Sequence, residues 1–431
     1  MKQQYSIFFL LCLFSLGLVN AQDLSNEITY VAPTSEPGCI YYAGPSHPDA
    51  RKIAAPAAIR AKINAGNVPP CSNITVTYTG FTTEAQAAFQ YAVDIWAQSI
   101  ESPQTIRVNA VFQELASGTL GSAGAAGSTT LNSVPGTIPN TFYPLPLAEK
   151  LLNINTNTVQ PDIIANFNNT VNWYYGTDAN PPSGQFDFVS VVLHELGHGL
   201  GFFGFGSADF FNGSVRAEPT SGPPALPSVF DNYVENNLGE SILSFPDPSP
   251  ELRTQLTSNN LFCNGPIATG QNAGVFPKLY APTIFNGGSS YSHWDEDTFA
   301  AGNVNSLMTP FIGPGEANHN PGLITLGFFE DMGWSICGGS LTLQDFVSEN
   351  VSVSPNPFVD RMTITIDNSA LGDYVIDILD MNGRLVKSHE AEIYTNQYQL
   401  DNLSDLNPSL YFVKLTNTAT GHSVTKKVIK N

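Results

Sequence analysis

Residues His194-Glu195-Leu196-Gly197-His198 set two imidazoles four positions apart, with a carboxylate beside the first. On a helix, positions four apart share one face a turn apart, and two such rings can hold a single zinc ion. Glu195 lies too near in sequence to be a convenient third ligand. It is well placed to take the proton of a metal-bound water. The chemistry expected of this spacing is hydrolysis: an activated water attacks a carbonyl, and Glu195 carries the proton to the leaving amine.

Two histidines leave a catalytic zinc one protein ligand short. Glycines at 197, 199, 201, 204 and 206 predict that the helix stops soon after His198. Gly201 is the expected turn glycine, where a positive φ redirects the chain. In the compact pattern H-E-x-x-H-x-x-G-x-x-H the third histidine would stand at position 204, which is glycine, so the ligand must come from elsewhere. His47 lies in an N-terminal arm, and His389 and His422 lie near the C-terminus. His319 sits in a Gly/Pro/Asn loop and reads as solvent-exposed. His293 differs in its setting, within Tyr291-Ser292-His293-Trp294 and just ahead of Leu307-Met308-Thr309-Pro310; Asp295, Glu296 and Asp209 are acidic candidates for the same place.

This order of motifs resembles the leishmanolysin-like metallopeptidases, metzincins with a long insertion before the third histidine. Their helix reads H-E-x-x-H-x-L-G-F, as in His194 to Phe202, and a Ser-His-Trp-like segment and a Met-x-Pro turn follow. The resemblance implies a single catalytic zinc held by His194, His198 and His293, with Met308 forming a hydrophobic floor beneath them. Phe329-Glu330-Asp331-Met332-Gly333-Trp334 resembles the family's closing helix. The likeness covers roughly residues 74–340 and is specific over 188–205 and 291–334. The chain has far fewer cysteines than the eukaryotic members, so their disulfide framework does not carry over.

The elements that would position these residues are legible in part. Ile74 to Tyr78, Thr105 to Phe112 and Asp162 to Phe167 alternate as strands. Thr83-Glu84-Ala85-Gln86 forms a capping box ahead of an amphipathic helix whose inner face is Ala85, Ala88, Phe89, Ala92, Val93, Trp96 and Ile100. Phe188 to Leu200 reads as the active-site helix with Asp187 as its N-cap. The fold expected is an α+β, zincin-like catalytic domain over residues 71–340. It pairs a mixed twisted sheet with the active-site helix and carries a loop-rich insertion at about 203–290. A small all-β sandwich over 349–431 follows. Residues 22–70 form an arm or short pro-segment.

Residues 1–21 read as a signal peptide: Lys2, an apolar run from Ile7 to Val19, and Ala21 before the cut. No further stretch is apolar and long enough to span a bilayer in the mature chain. The net charge of −20 argues against nucleic-acid partners and anionic membranes. Export to an oxidising compartment makes Cys39, Cys71, Cys263 and Cys337 disulfide candidates. Proximity in sequence suggests Cys39–Cys71 and Cys263–Cys337. A Cys39 thiolate on the zinc of a precursor is the alternative. Asn/Asp-rich loops such as Asp231 to Asn237 offer oxygens to calcium but lack the spacing of a calcium loop.

Residues 349–431 resemble the type IX secretion sorting domain of Bacteroidetes proteins. The matching pieces are Val353-Ser354-Pro355-Asn356-Pro357-Phe358, the run Ile378 to Val386, Leu410 to Leu415, and a basic end at Lys426 to Lys430. The resemblance implies Sec export, passage across the outer membrane by the type IX machinery, and a secreted or surface location. The sequence therefore reads as a secreted zinc endopeptidase acting on proteins or peptides. A zinc-retaining adhesion protein and a hydrolase of non-peptide amides are the alternatives.

Overall fold

The computed structural model describes residues 30–31, 39–156, 160–218, 225–339, 351–366, 372–381, 384–393, 395, 397–418 and 423–431. The signal segment 1–21, the Asn382-Gly383 turn and His422 lie outside the described residues. The alternating runs become strands of one six-stranded sheet: β1 (Cys39–Ala43), β2 (Ile74–Thr79), β3 (Ile106–Gln113), β4 (Thr119–Ala125), β5 (Ile163–Asn168) and β6 (Phe311–Ile312). Their order across the sheet is β6-β1-β4-β5-β3-β2. β2, β3 and β5 run parallel, and β4 runs antiparallel to both β5 and β1. β6 lies parallel to β1.

Two helices cover this sheet. Helix α1 (Thr83–Ala97) buries Ala85, Ala88, Phe89, Ala92, Val93 and Trp96. Its N-cap is Thr82, one residue before the expected start: Thr82 keeps extended dihedrals, so its hydroxyl accepts from the Ala85 N–H. Helix α2 (Phe188–Leu200) is buried along its whole length. That accounts for its near-continuous apolar sequence, since a helix enclosed on all sides has no polar face to keep. Helix α3 (Leu323–Met332) follows the methionine turn and ends at Gly333, whose φ is 116°.

The arm is not separate from the domain. β1 lies inside the sheet, and Ile53 bridges to Asn318. The insertion is also more ordered than its composition suggests. Val234–Asn236, Leu261–Cys263 and Lys278–Leu279 form an antiparallel sheet, with short helices at Pro250–Leu256 and Pro266–Gln271. Strands of two or three residues carry too few positions to register a period of two.

Beyond residue 350 the chain forms two antiparallel sheets. One orders β7 (Val351–Ser354), β8 (Met362–Ile366) and β11 (Gln397–Leu400). The other orders β10 (Leu385–Ile393), β9 (Gly372–Leu379), β12 (Leu410–Asn417) and β13 (Ser423–Ile429). Their inner faces share one core, which includes Phe358, Met362, Ile376 and Val413. Among the described residues no helix is long and apolar enough to cross a membrane.

The cysteine pairing differs from the expectation. Cys71 bonds to Cys337, while Cys39 and Cys263 are free and buried. The segment after α1 explains it. The Cys71 N–H donates to Ala97 O, the Cys337 N–H donates to Ser99 O, and Ser335–Ile336 pairs with Ile100–Glu101. Two chain segments 266 residues apart thus dock on one short stretch, and proximity in sequence is irrelevant. Non-reducing peptide mapping is expected to find the Cys71–Cys337 link and no other pair among these four cysteines. Cys71→Ser is expected to cost about 2–5 kcal/mol in denaturant unfolding, because the bond closes a very long loop.

Candidate metal centre

Helix α2 places His194 and His198 on one face, and the structure brings His293 to them. The His194 and His198 Nε2 atoms are 2.9 Å apart, and His293 Nε2 lies 3.1 Å from His198 and 3.2 Å from His194. Each ring is fixed by its other nitrogen. His194 Nδ1 donates to Leu307 O at 2.7 Å, His198 Nδ1 to Phe202 O at 2.7 Å, and His293 Nδ1 to Ser289 O at 2.6 Å. A carbonyl only accepts, so every Nδ1 carries the hydrogen and every Nε2 presents a lone pair. All three rings are fully buried. Burial and then the neighbouring imidazoles push His194 well below the usual range; burial brings His198 down to about 4; burial and His198 lower His293.

Three lone pairs about 3 Å apart in a buried site repel one another unless a cation lies between them. Three nitrogens bound to one tetrahedral zinc at 2.0–2.1 Å are about 3.3 Å apart, close to the spacing here. Glu195 adds a second sign. Both of its carboxylate oxygens are buried and make no hydrogen bond, and a buried carboxylate needs a polar partner. Burial pushes its pKa well above the usual range. The N–H groups of Tyr41 and Ala123 point toward it and act the other way, but neither closes a hydrogen bond of ordinary geometry. The donor set fits zinc.

Cys39 completes a cluster. Its sulfur and the ring nitrogens of His198 and His293 lie within 4.8 Å of one another, and all three residues are buried. Burial, and next the charge of Glu195, raise the thiol's pKa well above its usual value. Among the sequence-level alternatives for the third ligand, Asp295 pairs with Lys278, Asp209 accepts the N–H groups of Phe211 and Asn212 on the surface, and Glu296 lines a separate small cavity. The Asp231 carboxylate, at the start of the stretch considered for calcium, is taken up by protein donors.

How His293 arrives is explained by the ends of the insertion. Gly201 ends α2 with φ at 121°, turning the chain so that the Phe202 carbonyl returns to His198. Gly204 then passes against Tyr291: a Cβ there would stand 2.4 Å from the Tyr291 ring. The Gly204 N–H donates to Ser292 Oγ at 3.0 Å. The departing and returning chains are thus zipped together one residue before His293. Asp231 locks the crossing by accepting from the Phe205 N–H, the Ser228 N–H and hydroxyl, and the Tyr291 hydroxyl at 2.8 Å. Burial raises its pKa to about 6. Tyr291 itself sits at φ 79°, a strained position that this network holds.

The turn at Leu307–Met308 joins both halves. Leu307 O orients His194, while Met308 O accepts from the Trp294 N–H at 2.9 Å beside His293. The Met308 sulfur packs so closely on α2 that a Cβ at Gly197 would lie 2.7 Å from it. Trp96 and Trp334 donate to the α2 carbonyls of Leu193 and Leu200 at 2.9 and 3.0 Å.

His319 is buried, contrary to its expected exposure. Its Nε2 lies 2.7 Å from Asp187 Oδ1, and both side chains are wholly enclosed. Asp187 also caps α2, accepting from the Ser190 N–H at 2.8 Å and hydroxyl at 2.7 Å. A polar loop reads as surface, but here it folds under the start of α2. Asp187→Ala removes the cap and strands a buried histidine, and is expected to cost about 2–4 kcal/mol in thermal or denaturant unfolding. Asp187→Asn, which keeps an accepting oxygen, is expected to lose less.

Comparison with known proteins adds two family matches. A profile described as SPBPB7E8-like covers residues 138–217, which include His194, Glu195 and His198. A secretion system C-terminal sorting domain covers residues 352–431. No curated protein matches the chain. Among solved structures, PorZ, an essential bacterial surface component of the type-IX secretion system of Porphyromonas gingivalis, aligns at 17% identity and a TM-score of 0.18, over 23% of this chain and 15% of PorZ. A DUF3244 family protein with an immunoglobulin-like β-sandwich fold from Bacteroides vulgatus aligns at 20% identity and a TM-score of 0.16, over 19% of this chain and 84% of that one. Dimeric latent PorU from Porphyromonas gingivalis aligns at 23% identity and a TM-score of 0.17, over 19% of this chain and 9% of PorU. The chain thus carries a C-terminal type IX sorting domain and is exported by that machinery to the cell surface or beyond.

Proposed function

We propose that the protein is a zinc-dependent endopeptidase of the leishmanolysin-like branch of the metzincins, built on a zincin-type sheet and helix over residues 71–340. The observation that carries this reading is the convergence of the His194, His198 and His293 Nε2 atoms beside an unpartnered Glu195. Zinc held by His194, His198 and His293 would supply Lewis acidity and make a water a better nucleophile. The carbonyls of Leu307, Phe202 and Ser289 fix the ring tautomers and strengthen the imidazoles as donors. Glu195 accepts the proton of the attacking water at its carboxylate and passes it to the leaving amine. Met308 stiffens the turn that orients His194. Because the chain is exported, its substrates are proteins or peptides outside the cell.

After a cut in the exposed stretch 45–49 that frees the arm, Glu195→Gln is expected to lower casein cleavage by the purified protein about 10²–10⁴-fold while zinc content stays at one ion per chain. His293→Ala is expected to lose the zinc as well, by elemental analysis. Cleavage untouched by Glu195→Gln would overturn the mechanism, and zinc retained in full by His293→Ala would remove His293 from the ligand set.

A further inference from the structure

Strand β1 is the element that encloses the His194–Glu195–His198 face. Its backbone is bonded on both edges, antiparallel to β4 and parallel to β6, the strand just past the Met308 turn. Further backbone bonds run from the Ile40 N–H to Gly288 O at 3.0 Å, the Ala43 N–H to Gly118 O at 2.8 Å and the Gly44 N–H to Ile312 O at 2.8 Å. This is how an extended peptide docks on an open sheet edge. Alternate side chains point at the site. Cys39 reaches the histidines, and the Tyr41 ring lies flat on His194, with centroids 3.6 Å apart and planes 1° from parallel. The chain around this strand is exposed at residues 45–49 and again at 64–70, where a cut costs the core nothing.

The end of Tyr41 defines a pocket. Its hydroxyl donates to Phe311 O at 3.5 Å, a long bond. It shares with Glu296, Glu316, Ser190 and Thr309 the lining of a cavity of about 20 Å³, room for one water. Glu296 Oε2 is buried with no partner. Burial raises its pKa to about 7. The Glu316 carboxylate meets His47 Nδ1, a donor that also comes from the arm. The arm therefore brings a flat ring to His194, that ring's hydroxyl to the Phe311 carbonyl and His47 to Glu316.

Resting on the peptidase reading, we infer that β1 lies in the groove as a peptide substrate would. The pocket beneath His194, ending at Glu296 and Glu316, then selects a flat side chain tipped with a hydrogen-bond donor: tyrosine or arginine ahead of phenylalanine or leucine. A ring or guanidinium stacks on the imidazole, and the donor meets the Phe311 carbonyl, across the room for one water from the unpartnered Glu296 Oε2.

The test uses the full chain carrying Glu195→Gln and a site for a sequence-specific protease in the exposed turn at Pro48–Asp49, nicked and dialysed. The probes are labelled peptides spanning residues 37–48 with Cys39→Ser, alone or with Tyr41→Arg, Tyr41→Phe or Tyr41→Leu. The tyrosine and arginine peptides are expected to bind, with the phenylalanine and leucine peptides at least about tenfold weaker. Glu296→Gln in the protein is expected to weaken the arginine peptide more than the tyrosine peptide. A nicked arm that neither leaves nor exchanges would make β1 a permanent strand and overturn the inference. Equal binding of tyrosine and phenylalanine peptides to the unaltered pocket would overturn it too, even if Glu296→Gln fails to fold. The same peptides offered to the nicked Glu195 protein separate the two readings. Preference in binding without any cleavage sinks the peptidase alone, and cleavage without preference sinks the pocket alone.

Discussion

Three imidazole nitrogens about 3 Å apart, each with its lone pair turned inward, are the constraint on which the rest of the domain depends. Such an arrangement is costly to assemble, so every ring is held from behind by a backbone carbonyl. Those carbonyls come from three separate places: the turn after α2, the Leu307–Met308 turn and the loop before His293. The fold around the site reads as the means of holding them. Trp96 and Trp334 hold α2 by its carbonyls, Asp187 and His319 fix its start, and Asp231 pins the crossing that delivers His293.

What was legible in the sequence is what local spacing determines. The span of α2 and its Asp187 cap follow from apolar periodicity and one capping side chain, and the longer strands follow from alternation. The third histidine was legible only through the order of motifs, because no local pattern spans a separation of 95 positions in sequence. The close approach that replaces the missing histidine had a faint signal in Gly204 and Gly206, which stand where Tyr291 leaves no room for a Cβ. The sorting domain was legible for the opposite reason. Its short strands and turns repeat in a fixed order, so several local matches reinforce one another.

What was not legible depends on contacts across the sheet. Nothing in the stretch Cys39–Ala43 announces that it lies between β4 and β6, that Tyr41 covers His194, or that Cys39 stays reduced beside the histidines. The same holds for Cys71 and Cys337, which meet because both segments dock on residues 97–101. His319 lies in a polar loop yet is buried, because Asp187 at the start of α2 supplies its partner.

Whether this cluster holds zinc, with Cys39 from the arm beside the histidines, is tested most directly by X-ray absorption at the zinc edge on the full chain. One zinc per chain is expected, with three nitrogen neighbours of imidazole type near about 2.0–2.1 Å, in the full chain and in Cys39→Ser alike. A spectrum without imidazole scattering, or a chain that takes up no zinc, would contradict it.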